Sequence, residues 1–236
     1  MNGELVHVPD GFLDAPTSLA TAGVAVVGVG LALRGARKEL DERTAPLAGL
    51  VAAFIFATQM VNFPVGAGTS GHLLGGALAA ALVGPWTGVL CVSVVLLVQG
   101  LLFADGGLTA LGTNITLMAL VGVGTAWLIL VLIRKILPKK PASIVAASAI
   151  AALISVPVTA TVFTLLFAVG GVADVPFDKV LVAMVGWHTL IGLGEAVITA
   201  MVVGAVLATR PDLVYAARPL MGAAKLEIRD PQEAQA

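Results

Sequence analysis

The stretch LLGGALAAALVG, residues 73–84, followed by Pro85, decides how this chain is threaded. It is wholly apolar, yet at about 12 residues it is shorter than the ~17 an α-helix needs to cross a hydrocarbon core alone. Extended back to Ser70 it gains a turn, and a thin or tilted crossing becomes possible. The surrounding charges settle the matter. Apart from Lys179, every Lys and Arg falls in one of three groups, at 34–43, 134–140 and 210–229. Positive residues collect on the cytoplasmic side, so the chain must cross an even number of times between the first two groups. Four crossings fit when 70–84 is counted, and three remain when it is not. The stretch is therefore read as a crossing.

Outward from it, the apolar runs give seven spans: 17–34, 45–62, 70–84, 86–103, 112–133, 142–169 with Pro157 as a kink, and 180–207. The expected fold is an all-α integral membrane bundle, N-terminus outside and C-terminus cytoplasmic. Residues 1–15 form an extracytoplasmic segment and 16–209 the helical domain. Residues 210–236 form a cytoplasmic tail whose last stretch is expected to be disordered. Composition agrees: 58% of residues are hydrophobic and 11% charged, against about 25% charged in soluble domains, and mean hydropathy is +1.02. A net charge of −1 gives no reason to expect nucleic acid. Residues 1–5 have no positive region and no apolar core, so they do not read as a signal peptide. The single cysteine, Cys91, lies in an apolar run and reads as a small buried hydrophobe.

The chemistry lies in two Pro/Gly-rich loops, each carrying one histidine: VHVPDGFL at 6–13 and NFPVGAGTSGHLLG at 62–75. With this topology both fall on the outer face, together with the loops holding Asp105 and Asp174–Asp178. His7 and His72 are the candidate metal ligands. A ligating imidazole normally donates its other N–H to a carboxylate or carbonyl. Asp10 and Asp105 are the outer acidic candidates for that role, and Asn62, Thr69 and Ser70 lie close in sequence; the plainer reading of Asp10 and Asp105 is a turn. His188 and Glu195 share one face of the last span. An intramembrane Glu is a functional hypothesis by default, and for this pair a structural or gating hydrogen bond between helices is favoured over ligation. Ala45, Gly49, Ala53 and Ala57 form a small-residue row at every fourth position, suited to close helix approach; packing within the bundle is the alternative. There is no P-loop in the sequence, so ATP hydrolysis by that route is not expected here.

These two loops, with QGLLFADGGL at 99–108, GTN at 112–114 and WHTLIGLGEA at 187–196, resemble the nickel/cobalt substrate-capture components of energy-coupling-factor transporters, the CbiM/NikM family. The likeness spans about residues 6–210. It implies a non-enzymatic subunit, multi-pass in a bacterial or archaeal plasma membrane, that captures Ni(II) or Co(II) as transported substrate. Its implied partners are a membrane coupling subunit, ATPase subunits and a small accessory membrane subunit, with the small-residue row as the docking face for the coupling subunit. It also implies a chelate: a free N-terminal amine, the amide and imidazole of the following His, and a second imidazole from a loop. Amine and amide close a five-membered ring, amide and Nδ1 a six-membered one, and four in-plane nitrogens suit Ni(II). Nickel is favoured over cobalt on that ground. Carried over, His7 gives amide and imidazole, His72 the fourth nitrogen, and the main-chain nitrogen of Val6 the amine.

Val6 stands where the family has its initiator Met, and five residues precede it here. The chelate thus expects a chain beginning at Val6, either by a start there or by trimming of residues 1–5. Two other function classes were weighed. An intramembrane metalloenzyme using His7, His72 and Glu195 needs an open metal position and a positioned base. A channel or proton-coupled carrier usually carries several intramembrane charges, and here Glu195 is nearly alone.

Overall fold

The computed structural model describes residues 7–41, 44–61, 63–66 and 69–220; Val6, Asn62 and the end of the expected tail, 221–236, lie outside them. The elements are α1 (Ala15–Glu39), α2 (Thr44–Gln59), a hairpin of β1 (Phe63–Gly66) and β2 (Thr69–Gly71), α3 (Gly76–Val83) and α4 (Pro85–Leu102). There follow α5 (Leu111–Asn114), a π-helical segment (Ile115–Gly122), α6 (Val123–Ile136), α7 (Pro141–Gly170) and α8 (Phe177–Thr209). Among the described residues five stretches are long and apolar enough to cross a membrane: α1, α4, the continuous run Leu111–Ile136, α7 and α8. The chain is thus an all-helical multi-pass membrane protein apart from the small hairpin, in which Phe63 pairs with Gly71 and Pro64 with Ser70. α7 runs unbroken through Pro157.

At the centre lies α3. All eight of its residues are buried, and it packs against α4, α6 and α7. Its glycine and alanine content allows this. A Cβ on Gly76 would stand 3.2 Å from the backbone of Gly122 and Val123. The stretch 73–84 is therefore helical only from Gly76 to Val83, a length of about 12 Å at 1.5 Å per residue. Such a helix leaves its unpaired terminal N–H groups inside the protein rather than in water, and each needs a partner.

Two buried glutamates supply them. Glu195 of α8 accepts from the N–H of Leu74 at 2.7 Å and of Gly75 at 3.0 Å, at the N-terminal end of α3. Glu39, the last residue of α1, does the same for α4: it accepts from Trp86 N–H at 3.2 Å, Thr87 N–H at 2.7 Å and the Thr87 hydroxyl at 2.9 Å. A carboxylate at a helix N-terminus also meets the positive end of the helix dipole. The α3–α4 hairpin is thus held by one carboxylate at each end. The charge-rich run 34–43 lies beyond the end of the expected first span, 17–34. It is helical through Glu39 because Arg37 and Lys38 suit a C-terminal turn, while Glu39 turns inward.

Beyond α8 the chain returns to the bundle. Two 3₁₀ turns follow, Pro211–Leu213 and Tyr215–Leu220; Val214 between them and Ala216 and Ala217 in the second are buried. Arg218 donates to the carbonyl of Glu39 at 3.1 Å and lies over the Tyr215 ring, 4.6 Å from its centroid. The start of the expected tail is therefore part of the packed structure, because an apolar trio is buried there.

Candidate metal centre

Residues 7–13 lie across the other end of the bundle. Their backbone is held at Val8, Pro9, Phe12 and Leu13. Asn114 grips Val8 from both sides: its Oδ1 accepts from Val8 N–H at 3.1 Å, and its Nδ2 donates to Val8 C=O at 3.2 Å. Gly107 N–H donates to the same carbonyl at 3.0 Å. Asp10 accepts from Thr109 N–H at 2.7 Å and from the Thr109 hydroxyl. Those bonds, that from the hydroxyl first, hold its carboxyl below the usual range. Further on, Val172 N–H donates to Phe12 C=O at 3.1 Å and Asp14 N–H to Gly170 C=O at 2.7 Å. Asp14 then caps α1 by accepting from Thr17 N–H at 2.9 Å.

The turn at 104–107 forms the cradle's floor. Gly106 has φ +91°, a conformation glycine adopts without strain, and a Cβ there would lie 2.8 Å from His7 Cβ. A Cβ on Gly107 would collide with Asp10, 2.3 Å from its backbone nitrogen. The glycine pair lets the two segments touch.

Within the cradle His7 faces His72. Their ring centroids are 4.6 Å apart with planes at 52°, and each residue is 5% exposed. His72 Nδ1 is 2.8 Å from Leu73 C=O. A carbonyl only accepts, so Nδ1 carries the proton and Nε2 keeps its lone pair. Burial, then the neighbouring His7 ring, push the His72 imidazole down to about 3, leaving it neutral over the ordinary pH range. His7 Nδ1 is 3.2 Å from Asp105 Oδ1 but misaligned for a hydrogen bond. Both His7 ring nitrogens are buried with no hydrogen-bond partner among the described residues. Two buried imidazoles facing each other are a pair of nitrogen donors for a borderline metal ion. Among the described residues no group of three or more His, Cys, Asp or Glu side chains is arranged to hold a metal. Further donors would have to come from elsewhere, such as the main chain.

The other expected residues divide. Asp10 and Asp105 are both in the cradle, Asp105 beside His7 and Asp10 in a turn held by Thr109. Val6 and Asn62 lie outside the described residues; of Thr69 and Ser70 only the backbone is described, in β2. Glu195 makes its bonds across elements, to the two residues that lead from His72 into α3. His188 does not: its Nδ1 bonds to Met184 C=O one turn back on its own helix, at 2.7 Å. The His188 bond stays within α8 because the carbonyl four residues back keeps a second lone pair within reach of the ring. Ala45, Gly49, Ala53 and Ala57 all face outward, exposed, rather than into the bundle.

Sequence reasoning missed Asn114, Gln59 and Glu39 as anchors. Gln59 is fully buried and donates to Leu74 C=O at 2.8 Å, so Leu74 is held at both its polar groups. The available signal for Asn114 and Gln59 was a lone amide within or bordering an apolar span, which is rarely without a role.

Residues 7–213 match the family model described as the cobalt uptake substrate-specific transmembrane region. A protein of Haloquadratum walsbyi named for metal transport is 39% identical over 211 residues, covering 89% of this chain and 94% of its own length. A cobalt transport protein of Sorangium cellulosum is 36% identical over 193 residues, covering 80% and 84%. Among solved structures, the crystal structure of a truncated transition metal transporter superposes with a TM-score of 0.73 at 28% identity, covering 86% of this chain and 99% of that one.

Proposed function

The chain belongs to the CbiM family of cobalt uptake substrate-specific transmembrane regions, and from that premise we propose that it is the substrate-capture subunit of an energy-coupling-factor importer. It captures Ni(II) or Co(II), nickel favoured, at an outer face, and ATP-driven partners complete the uptake. The observation that carries this reading is the buried, facing pair of imidazoles. With a metal–nitrogen distance of about 2.0 Å and a ring radius of about 1.2 Å, two cis ligands place their centroids about 4.5 Å apart, and two trans ligands about 6.4 Å. The 4.6 Å between His7 and His72 fits the cis arrangement. The chelate requires cis: the amine and the His7 imidazole lie trans to each other, and the fourth position neighbours both. In a chain beginning at Val6 its amine completes four nitrogens in a plane, the geometry that favours Ni(II). Asp105 and Asp10 then orient the ligand segment.

The topology proposed is seven passes, counting α2 and the half-length α3, with the N-terminus outside. Arg134, Lys135 and Arg218 gather at the end away from the histidines, which supports a cytoplasmic assignment for that end. The exposed row Ala45, Gly49, Ala53, Ala57 is the proposed docking face for the membrane coupling subunit. The ATPase subunits and a small accessory membrane subunit complete the assembly.

The test is metal stoichiometry of purified protein by equilibrium dialysis with Ni(II) or Co(II), for chains starting at Met1 and at Val6. One ion per chain is expected for the chain starting at Val6, lost in His7→Ala and His72→Ala and kept in His188→Ala, and less than one for the chain starting at Met1, in which the Val6 nitrogen is an amide. Retention of a full equivalent by His72→Ala refutes the assignment.

A further inference from the structure

At the end away from the histidines, α6 and the 3₁₀ turn after α8 enclose a cavity of about 400 Å³. Three of its lining side chains are cations, Arg134, Lys135 and Arg218; two are aromatic, Trp127 and Tyr215; none is a carboxylate. Arg218 is held in place by its bond to Glu39 C=O and by the Tyr215 ring beneath it, and Tyr215 in turn lies against Trp127, with centroids 5.5 Å apart. Among the described residues Arg134 and Lys135 have no ion-pair partner. Arg218 also lies 3.9 Å from Asp41 Oδ2, but no carboxylate is among the described lining residues; three cations on an aromatic support, two of them without a described counter-charge, select an anion with several acceptor oxygens.

The helix itself indicates where the rest of such a ligand runs. Trp127, Val131, Arg134 and Lys135 form one stripe of α6. One residue further on, Leu128, Leu132 and Ile136 form the adjoining stripe, and they are 58%, 47% and 81% exposed. These lie in the last turns of a membrane-crossing run, at the depth where Trp, Tyr and cations meet headgroups. We propose that this cavity binds the phosphate headgroup of an anionic glycerophospholipid, whose acyl chains lie along Leu128, Leu132 and Ile136. The phosphoryl oxygens meet Arg134, Lys135 and Arg218.

The full chain is reconstituted into phosphatidylcholine bilayers containing phosphatidylglycerol, re-extracted in mild detergent, and its retained lipids counted by native mass spectrometry. Wild type is expected to retain phosphatidylglycerol selectively. Each interfacial cation contributes on the order of fivefold to anionic-lipid binding, so R134Q/K135Q should lower retention about 25-fold. R210Q removes the same charge at an exposed site paired with Asp212 and should leave retention unchanged. Should the double variant not fold, as judged by loss of Ni(II) binding at the far end, the single variants R134Q and K135Q should each lower retention about fivefold. Full retention by the variants, or equal loss in R210Q, overturns the proposal. So does displacement of the lipid by inorganic phosphate or glycerol phosphate at low concentration, which would assign the site to a free phosphate. Unchanged lipid retention with lost assembly onto the coupling subunit would assign it to protein docking, and overturn it equally.

Discussion

Replacing Glu195 by Gln keeps one of the two oxygens that bind the Leu74 and Gly75 amides and turns the other into an NH₂ group. One buried N–H then faces a donor. Hydrogen bonds to a charged acceptor contribute about 1.5–3 kcal/mol each, so E195Q should cost about 2 kcal/mol and E195A, which loses both bonds, about 3–6 kcal/mol. For a chain of this size about 2 kcal/mol corresponds to roughly 4–8 °C in melting temperature. E39Q, at the other end of the same hairpin, loses a comparable bond to Trp86 or Thr87 and should destabilise similarly. The two variants separate in metal affinity. His72 stands two residues before Leu74, so freeing Leu74 and Gly75 loosens an imidazole that must meet His7 across 4.6 Å. Loss of such a support typically costs 10–100-fold in metal affinity. E195Q should therefore raise the Ni(II) Kd at least tenfold, and E39Q should leave it within about twofold. Both quantities come from one preparation in detergent, by thermal unfolding and by titration calorimetry. Equal effects of E195Q and E39Q on Kd would refute the idea that Glu195 acts by holding the His72 strand.

Three further predictions test separate parts of the argument. G106A forces a Cβ to within 2.8 Å of His7 Cβ at a φ of +91°; it should cost about 1–3 kcal/mol and weaken Ni(II) binding while leaving α-helical circular dichroism unchanged, and unaltered binding would show that the cradle floor does not position His7. The unfolded chain protonates His72 below about 6.5, whereas the folded imidazole stays neutral until about 3, so stability is lost as pH falls through that window, at up to ~1.4 kcal/mol per pH unit; H72Q should melt with a shallower acid dependence than wild type, and parallel curves would count against a buried neutral imidazole. A53L places a branched side chain on the exposed small-residue row and should reduce co-purification of the coupling subunit severalfold, with one Ni(II) per chain retained; loss of metal instead would mean that the row packs inside the bundle.

The sequence by itself determined the class of protein and singled out the two loops that hold His7 and His72. Hydropathy is a sum over residues and needs no neighbours, so the apolar runs and the three cationic groups were legible at once, and the helices form within a few residues of where they were expected. His7 and His72 stood out because a histidine in a Pro/Gly-rich loop is conspicuous against apolar spans. What lay out of reach was every feature whose partner is distant in the chain. Glu39 sits in a run of charges that looks solvated. Only when the turn at Gly84 is brought against the end of α1 do the amides of Trp86 and Thr87 exist as its partners. Asn114 and Val8 are likewise separated by four whole helices, α1 to α4. The reading of 73–84 shows the division best. Its apolar character was plain, but it folds as only eight helical residues, because the tertiary structure supplies a carboxylate at each end of the α3–α4 hairpin. A buried N–H must be satisfied by whatever the fold brings to it, and composition along the chain does not say what that will be.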